Sequence, residues 1–425
     1  MSKTFLERSE GLVSPFIGRF HSIEIDHAKG CFLYDKNGKA FLDFSAGIAV
    51  ASTGHCHPKV VEAITKQANS LIHACIGVGY YDAPITLTEK LNQILPNGPW
   101  ASFFCQSGSE ANEAALKLVR YTSKKKNVIA FEGGFHGRTY GSLSLTTSKR
   151  QYREGYEPLP GNVDFFPYPY AYRCPWNKKN YEDSVKESIQ KLKESRLFNN
   201  DVAAVFIEPV LGEAGYVPCP KEFLQTLSEI CKANNILLVC DEIQTGIGRT
   251  GKWFSFEHAG IDPDVVTLAK GLASGMPLGA CIAKKDLMNK WPAGAHGGTY
   301  GGNPVTCQAA NATIDIIKPL VSSVDILGYK ALNFLNEQLK TNPFVGDIRG
   351  QGLMIGIELV QDKKSKVPHQ ELTKFVLQHA FNHQLILITC GNGNVVRICP
   401  PLVIDEETLL EGLQKLVNAI NDYQG

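Results

Sequence analysis

The sequence lacks an excess of charge of either sign. Its 43 lysine and arginine residues are balanced by 42 aspartate and glutamate residues, which leaves a formal net charge of +1. Proteins that bind nucleic acid or anionic membrane surfaces usually carry a basic excess that attracts phosphate groups. The charge balance therefore gives no reason to expect a nucleic-acid partner or a membrane partner.

The sequence also lacks long apolar runs and closely spaced cysteine pairs. No run approaches the ~18 consecutive apolar residues of a membrane-spanning helix, and the first residues, MSKTFLERSEGL, lack the apolar stretch of a secretory signal. The cysteines form no CxxC motif, so neither a zinc ribbon nor a thioredoxin-type site is indicated. These absences favour a cytoplasmic protein whose cysteines are reduced.

The middle of the chain alternates short apolar runs with helical patterns. Runs such as DVAAVFIEPV and ILLVCDE are continuously apolar, which is typical of strands that are covered on both faces. Alternating strands and helices require crossover connections and therefore a mostly parallel sheet. The sequence thus predicts an α/β fold with helices on both faces of a central sheet, whose strands are WASFFCQ, NVIAFE, DVAAVFIEPV, ILLVCDE, DVVTLAK and GACIAKK.

The two ends of the chain differ from the middle. Near the N-terminus, DKNGKAFLDF carries an Asn-Gly turn between apolar flanks, which is typical of a hairpin. The C-terminal part contains the short strands GLMIGIELV, LILITC and NVVRICPPL and a last amphipathic helix, EETLLEGLQKLVNAINDY. We predict a large α/β domain over residues 50–325 and a smaller α+β domain built from residues 1–49 and 326–425.

Two charged residues follow apolar strands in the predicted sheet, where ligands of open α/β folds bind. Asp241 ends ILLVCD, and Lys270 ends DVVTLAK one crossover later. A buried carboxylate needs a cationic partner such as a protonated pyridine nitrogen, and a lysine in apolar surroundings is suited to imine formation. As alternatives, Asp241 caps the following turn or pairs with Arg249, and Lys270 is a solvated surface lysine.

Two glycine-containing loops follow other predicted strands. The Ser-Gly-Ser segment at 107–109 precedes a long helix, where free N–H groups and the helix dipole favour phosphate; N-capping by Ser109 is the alternative. After NVIAF, Phe135 or His136 offers a flat face for a heteroaromatic ring and Arg138 offers a fork for a carboxylate; the alternative is a packed aromatic and a surface arginine. Together with the amine and the carboxylate, these are the parts that a pyridoxal 5′-phosphate site requires.

Seven segments, in order along the chain, carry a resemblance to a known family. They are DFSAGIAVASTGHCHP, QSGSEANEAALKLVR, FHGRT, IEPVLGEAGY, VCDEIQTGIGRTG, LAKGLASGMPLGA and GGTYGGNP. They resemble the motifs of the class III (omega-amino-acid) aminotransferases of the fold-type I pyridoxal-phosphate superfamily. The resemblance covers nearly the whole chain.

The resemblance implies the cofactor pyridoxal 5′-phosphate and a homodimer. Lys270 then binds the cofactor covalently and later moves a proton, and Asp241 pairs with the ring nitrogen. The other residues implied to contact the cofactor are Gln244 at the ring hydroxyl, Gly108 and Ser109 at the phosphate, Phe135 stacked on the ring, His136 beside it, and Thr299 from the neighbouring subunit.

The resemblance also implies the substrate contacts of an aminotransferase. Arg138 holds the carboxylate of the amino donor, Arg397 binds the α-carboxylate of glutamate or 2-oxoglutarate, and Glu213 pairs with Arg397 when Arg397 is idle. A structural salt bridge is the alternative for Glu213 and Arg397. The AGIAV segment around Ile48 and the GGTYGGNP loop favour 4-aminobutyrate, or a similar omega-amino acid, as the donor, with Ile48 contacting the substrate.

Other reactions stay open on the same scaffold. Acetylornithine or ornithine transfer is a second hypothesis, and an amino-acid racemase would use the same lysine without an acceptor. A non-catalytic protein would have lost Lys270 or Asp241, and both are present. We expect no metal: His55 and His57 are assigned turn and packing roles, and Cys174 lacks the second cysteine that the iron–sulfur cluster of animal 4-aminobutyrate enzymes needs.

Overall fold

A computed structural model describes residues 4–14 and 18–424 of the chain. The helices are α1 (Phe5–Ser9), α2 (Ala46–Ala49), α3 (Pro58–Ser70), α4 (Asp82–Ile94), α5 (Gly108–Ser123), α6 (Tyr140–Leu145), α7 (Tyr181–Glu194), α8 (Lys221–Ala233), α9 (Lys285–Met288), α10 (Pro304–Ile317), α11 (Val321–Leu339), α12 (Gln370–Asn382) and α13 (Glu406–Asn421). The strands are β1 (Ile25–Lys29), β2 (Phe32–Asp35), β3 (Ala40–Asp43), β4 (Trp100–Cys105), β5 (Asn127–Phe131), β6 (Val163–Phe166), β7 (Val202–Ile207), β8 (Val210–Leu211), β9 (Val217–Pro218), β10 (Leu237–Asp241), β11 (Val265–Leu268), β12 (Gly279–Lys284), β13 (Val345–Gln351), β14 (Met354–Leu359), β15 (Leu385–Ile386), β16 (Ile388–Cys390) and β17 (Val395–Ile398).

A seven-stranded sheet lies at the centre, in the order β4-β12-β11-β10-β7-β5-β6. The neighbours from β11 to β6 are parallel, whereas β12 runs antiparallel to both β11 and β4. All six strands predicted for the central sheet are present in it. The predicted mostly parallel α/β sheet is confirmed.

Helices cover both faces of this sheet because its strands are apolar on both sides. In β7, Ala204 and Phe206 belong to one hydrophobic cluster with Leu118 of α5. Val205 of β7 belongs to a second cluster on the other face, with Leu227 of α8. Burying a large apolar side chain contributes about 1.5–3 kcal/mol, so the continuous apolar runs hold the helices against both faces.

Two smaller four-stranded sheets come from the ends of the chain. One has the order β1-β2-β3-β15, in which the predicted Asn-Gly hairpin joins β2 to β3; the other has the order β13-β14-β17-β16. The C-terminal β15 pairs with the N-terminal β3, which links the two termini. The predicted domain limits stay a prediction: position 325 lies inside α11, and residues 1–3, 15–17 and 425 lie outside the described residues.

The strand ends place polar side chains along one edge of the central sheet. Asp241 is the last residue of β10, and Glu208 follows β7 directly. Lys270 does not end its strand as predicted, because β11 stops at Leu268 and Lys270 begins a short 3-10 turn. Since β7, β10 and β11 are parallel neighbours, their carboxyl ends meet at the same edge. Within the described residues, no helix has the length and apolar composition needed to cross a bilayer.

Candidate active site

A cavity of about 330 Å³ lies at these carboxyl ends. The sequence-predicted residues that line it are Gly108, Ser109, Phe135, His136, Asp241, Gln244 and Lys270. Val50 and Glu208 line it as well, and neither was predicted from the sequence. The structure thus brings the predicted amine, carboxylate, glycine-containing turn and aromatic loop together around one cavity.

The Asp241 carboxylate is held by a network of buried hydrogen bonds. Its Oδ2 is 2.7 Å from Nδ1 of His136 and accepts a hydrogen bond of 2.7 Å from the side-chain amide of Asn112. Thr267 of β11 in turn donates to Oδ1 of Asn112. Burial lowers the pKa of His136, but the hydrogen bond and charge of Asp241 outweigh it, so the net pKa is raised. Asp241 is therefore held in a fixed orientation, and an ionised carboxylate at this point stabilises a cation beside it.

The alternatives for Asp241 are partly realised. Its Oδ1 accepts a hydrogen bond from the backbone N–H of Ile243, so it does cap the following turn. The pairing with Arg249 is wrong, because Arg249 donates instead to the carbonyl oxygens of Leu353 and Pro400. Oδ2 of Asp241 is therefore the oxygen that contacts Asn112 and His136.

Lys270 faces the same cavity from the end of β11. Its backbone has φ 40°, a left-handed conformation that costs energy for a residue with a side chain and is concentrated at functional sites. Burial, followed by the positive charge of Arg397, lowers the pKa of the Lys270 amine, although Glu208 and Asp241 act in the opposite direction. A lowered pKa increases the fraction of neutral, nucleophilic amine, so the solvated-surface alternative does not describe this lysine.

The glycine-containing turn ends β4 and begins α5. The helix cap is Ser107, whose hydroxyl accepts from the N–H of Glu110, so the capping alternative had the wrong serine. Ser109 instead accepts a hydrogen bond from the N–H of Arg138 with its hydroxyl. A Cβ at Gly108 would approach Ile243 to 2.9 Å, so a glycine is needed for the backbone to pack against this second residue of the cavity wall. The N-terminus of a 16-residue helix at the cavity wall is suited to an anion.

Glu208 and Gln244 form the wall near Phe135. Glu208 accepts hydrogen bonds from the N–H groups of Phe135 and Gly212, at 2.7 and 2.9 Å. Burial is the main cause that raises the pKa of Glu208, to about 7. The side-chain oxygen of Gln244 is buried and has no hydrogen-bond partner. An unpartnered buried acceptor is costly, and a ligand hydroxyl in the cavity would satisfy it.

A cluster of charged side chains surrounds Glu213, in the turn between β8 and β9. One oxygen of Glu213 is paired with Arg397 of β17, and the other lies 2.9 Å from the ammonium of Lys149 and 3.1 Å from the hydroxyl of Tyr152. Burial raises the pKa of Glu213, but the charges of Arg397 and Lys149 outweigh burial, so the net pKa is lowered to about 2. Glu213 therefore carries its negative charge at neutral pH. The buried Nε of Arg397 has no hydrogen-bond partner.

Five predicted residues are not part of the cavity wall: Glu213 and Arg397, described above, and Arg138, Ile48 and Thr299. Arg138 is exposed, with its guanidinium 4.4 Å from the ring centre of Tyr152. Ile48 is 46% exposed and has φ 68°, and its neighbour Val50 contributes to the wall instead. Thr299 is exposed in the segment between α9 and α10.

The histidines of TGHCHP have the predicted turn and packing roles. His55 is 2.8 Å from the buried carboxylate of Asp43, and His57 caps the start of α3. Among the described residues, no group of three or more histidine, cysteine or acidic side chains is arranged to hold a metal ion.

Several residues of this site were not predicted from the sequence. Glu208 satisfies the same criterion as Asp241, since it directly follows an apolar strand. Asn112 is a buried amide on the apolar face of α5. A polar residue within an apolar helical pattern could have been recognised from the sequence as a candidate site residue. Lys149 and Tyr152 lie in a polar loop, and nothing in the local sequence distinguishes them from surface residues.

The cavity has what pyridoxal 5′-phosphate requires of a protein. It offers an amine of lowered pKa, a fixed carboxylate, an unpartnered amide oxygen and a helix N-terminus around one cavity. These donors and acceptors match an aldehyde, a ring nitrogen, a ring hydroxyl and a phosphate respectively. The residues present fit this cofactor.

Glu242 follows Asp241 but is buried outside the cavity, where it accepts from Thr245 and from the N–H of Phe256. Burial raises the pKa of Glu242 to about 7, above the ordinary value. A raised pKa gives stability that is complete below the unfolded pKa and is lost as pH rises through about 7. We expect the free energy of unfolding to fall between pH 5 and 8, by up to about 3 kcal/mol from this group. Denaturant unfolding of Glu242→Gln should show a smaller decrease, and an unchanged decrease would contradict the assignment.

Comparison with known proteins gives the family. The family model described as aminotransferase class-III matches residues 17–420. The chain is 37% identical to the 4-aminobutyrate aminotransferase of Escherichia coli (strain K12), over 97% of each chain. It is also 38% identical to the acetylornithine aminotransferase of Methanocaldococcus jannaschii, over 93% of this chain and 91% of the relative. A leucine/methionine racemase of Thermococcus litoralis is 38% identical, over 93% of this chain and 90% of the relative.

The solved structures agree with this family. An amine transaminase from an uncultivated Pseudomonas species, solved in its pyridoxal-phosphate-bound form, superposes with a TM-score of 0.89 at 27% identity, over 94% of this chain and 95% of that one. The family match over nearly the whole chain agrees with the cavity and its cofactor-compatible residues. The chain therefore belongs to the class-III aminotransferases, enzymes of fold type I that depend on pyridoxal 5′-phosphate.

Proposed function

We propose that this enzyme transfers the amino group of 4-aminobutyrate, or of a similar omega-amino acid, to 2-oxoglutarate. The products are succinate semialdehyde and glutamate. The observation that carries the proposal is the pairing of Glu213 with Arg397, an arginine close enough to the cavity for its charge to lower the pKa of Lys270. The proposal includes a cytoplasmic location.

The Glu213–Arg397 pair answers a requirement of this reaction. The enzyme must accept a donor that has no α-carboxylate and then an acceptor that has one. While paired, Arg397 is neutralised by Glu213, and a substrate α-carboxylate takes Arg397 when Glu213 moves away. If Arg397 had no anionic partner while the donor is bound, its buried positive charge would be uncompensated, which costs free energy. Arg138, exposed beside Phe135, holds the donor's distal carboxylate.

Different residues of the cavity bind the cofactor and move the proton in this proposal. Bound pyridoxal 5′-phosphate supplies an electron sink for the negative charge that develops at the substrate Cα. Asp241 keeps the ring nitrogen protonated, with His136 beside it; Gln244 bonds the ring hydroxyl. Lys270 holds the cofactor and then moves the proton of the substrate Cα. The remaining contacts are Gly108 and Ser109 at the phosphate and Phe135 against the ring face.

A second copy of the chain completes the site in this proposal. Thr299 is exposed, and we assign it to the cofactor phosphate of the neighbouring subunit in a homodimer. Exposed side chains of the 71–80 segment favour such an interface: Val78 is 83% exposed and Tyr80 is 99% exposed. The ring of Tyr300 contacts His73, which joins the 71–80 segment to the Thr299 segment.

A panel of amino donors with 2-oxoglutarate as acceptor tests the proposed substrate. We expect kcat/KM for 4-aminobutyrate to exceed that for ornithine and for acetylornithine by at least about tenfold, measured as glutamate formed. Ile48 is the predicted substrate contact near Val50, so a short linear donor should be favoured over one with an acetamido group. A preference for acetylornithine or ornithine would replace the proposed donor and leave the transamination intact.

A racemase is the second candidate, favoured by the similar identity of the racemase and aminotransferase relatives. The same lysine would remove the Cα proton from one face, and a second proton donor would return a proton to the opposite face. Racemisation needs no acceptor, so L-leucine or L-alanine incubated without 2-oxoglutarate distinguishes the two. If the enzyme is an aminotransferase, the optical rotation of the amino acid should not change during that incubation. A racemase would bring the optical rotation to zero.

A further inference from the structure

The Glu213 carboxylate has two sets of partners at once. Its Oε2 is paired with Arg397, and its Oε1 lies within hydrogen-bond distance of both Lys149 and Tyr152. The backbone of Glu213 is held separately, because its carbonyl oxygen accepts from the N–H of Gly391 at 2.8 Å. The side chain therefore can turn away from Arg397 and keep its other partners without moving the main chain.

We propose that Lys149 is a positioning residue for the acceptor: with Tyr152, it holds the Glu213 carboxylate when a substrate α-carboxylate binds Arg397. This inference rests on the proposed transamination and deepens it by naming the residue that receives Glu213. Glu213 then moves between two ion pairs rather than between an ion pair and an unpartnered state.

Burial is the reason that such a second partner matters. The side chain of Glu213 is 17% exposed, and that of Arg397 is 3% exposed. Removing one partner of a largely buried ion pair is expensive because the remaining charge is left uncompensated. Lys149, 26% exposed, reduces this penalty on Glu213 when the substrate takes its place at Arg397. The acceptor carboxylate therefore binds more tightly than it would with Arg397 as the sole cation.

The charge of the cluster agrees with a dicarboxylate substrate. Arg138, Lys149 and Arg397 supply three positive charges, and Glu213 supplies one negative charge. The Tyr152 ring connects these groups, since its face lies 4.4 Å from the Arg138 guanidinium and its hydroxyl contacts Glu213. The remaining excess of two positive charges equals the two carboxylates of 2-oxoglutarate. Without Lys149, the excess would fall to one.

Tyr152 also ties the cluster to the cavity wall. Its ring packs edge-to-face on Phe135, with centroids 5.7 Å apart, and the ammonium of Lys149 lies 5.6 Å from the Tyr152 ring centre. Burial lowers the pKa of Lys149, but Glu213 and Tyr152 outweigh it, so the net pKa is raised and Lys149 stays charged. A permanently charged partner is available to Glu213 at any pH near neutrality.

Calorimetric binding of glutarate to the holoenzyme tests this role independently of turnover. Glutarate carries both carboxylates of 2-oxoglutarate but has no oxo group to react. We expect Lys149→Met to weaken glutarate binding about tenfold, as for loss of a charged hydrogen bond. Lys149→Arg, which keeps the charge, should restore most of the affinity. Butyrate, with one carboxylate for Arg138, should be affected much less.

A double-mutant cycle separates positioning from simple attraction. If Lys149 acts by receiving Glu213, the effect of Lys149→Met on glutarate binding should nearly vanish in a Glu213→Gln background. In turnover, KM for 2-oxoglutarate should rise in Lys149→Met while kcat with 4-aminobutyrate stays near that of the wild type. An equal loss in both backgrounds would overturn the inference, as would a Lys149→Met variant that binds glutarate like the wild type.

One further variant distinguishes failure of this inference from failure of the proposed function. Arg397→Met should abolish the preference for glutarate over butyrate. If Arg397→Met keeps that preference, the α-carboxylate does not bind Arg397, and the proposed acceptor site and the role of Lys149 both fall. If Arg397→Met loses the preference but Lys149→Met does not weaken glutarate, only the inference about Lys149 falls.

Discussion

Replacement of Lys270 by alanine is expected to lower kcat by at least about 10⁴-fold. The cavity wall offers one amine of lowered pKa, and the proposed reaction needs it both to hold the cofactor and to move the Cα proton. The measurements are glutamate formation from 4-aminobutyrate and 2-oxoglutarate, and the visible absorbance that depends on the lysine–cofactor bond. Both should be lost together.

A lysine away from the cavity provides the control for this substitution. Lys330 of α11 pairs with Glu406 on the surface, where both side chains are about half exposed. Surface pairs of this kind contribute at most about 1 kcal/mol, so Lys330→Ala should keep the turnover and the absorbance of the wild type. Substantial turnover in Lys270→Ala, with the protein folded, would contradict the assignment of Lys270.

Asp241→Asn is expected to have the second largest effect, a loss of about 10³-fold in kcat/KM. The substitution keeps the size of the side chain but removes the charge that, in the proposed reaction, would stabilise a protonated ring nitrogen. It also puts an amide donor where Oδ2 now accepts from Asn112 and faces His136, at 2.7 Å from each. Initial rates and cofactor content, measured on the same preparation, separate loss of chemistry from loss of cofactor.

The adjacent acid is the matched control for Asp241. Glu242 is equally buried but points away from the cavity, towards Thr245 and Phe256. Glu242→Gln should alter the pH dependence of stability described above and keep kcat/KM within a small factor of the wild type. If Asp241→Asn and Glu242→Gln lowered kcat/KM equally, the effect would reflect damage to β10 rather than a specific ring-nitrogen contact.

The central sheet could be predicted because burial on both faces leaves a strong pattern. Runs such as VAAVFI and LLVCD are almost entirely buried in the structure, as continuous apolar runs predict for strands covered on both faces. The edge strand β6 was not predicted, since its four residues include an exposed Asp164 and only Phe166 is fully buried. Lys270 was placed at a strand end when it begins a turn, because strand limits depend on hydrogen bonds to neighbours and not on the local sequence.

The candidate site could be predicted where a polar side chain interrupts an apolar pattern. Asp241 has that signal, and so does Glu208, which was overlooked. Lys149 and Tyr152 have no such signal, because their importance comes from contact with Glu213, more than 60 residues away. Roles such as the stacking of Phe135 or the contribution of Thr299 were inferred from family resemblance and stay predictions.

Arg397 belongs to the sheet of β13, β14, β17 and β16, whereas Lys270 and Asp241 stand at the edge of the seven-stranded sheet. In the proposed reaction, the arginine for the acceptor's α-carboxylate thus comes from a different sheet than the amine and the carboxylate of the cofactor site. Its partner Glu213 lies between β8 and β9, so the Glu213–Arg397 ion pair depends on how the C-terminal sheet packs against the rest of the chain. We expect a substitution that displaces this sheet to weaken acceptor binding while Lys270 and Asp241 keep their positions.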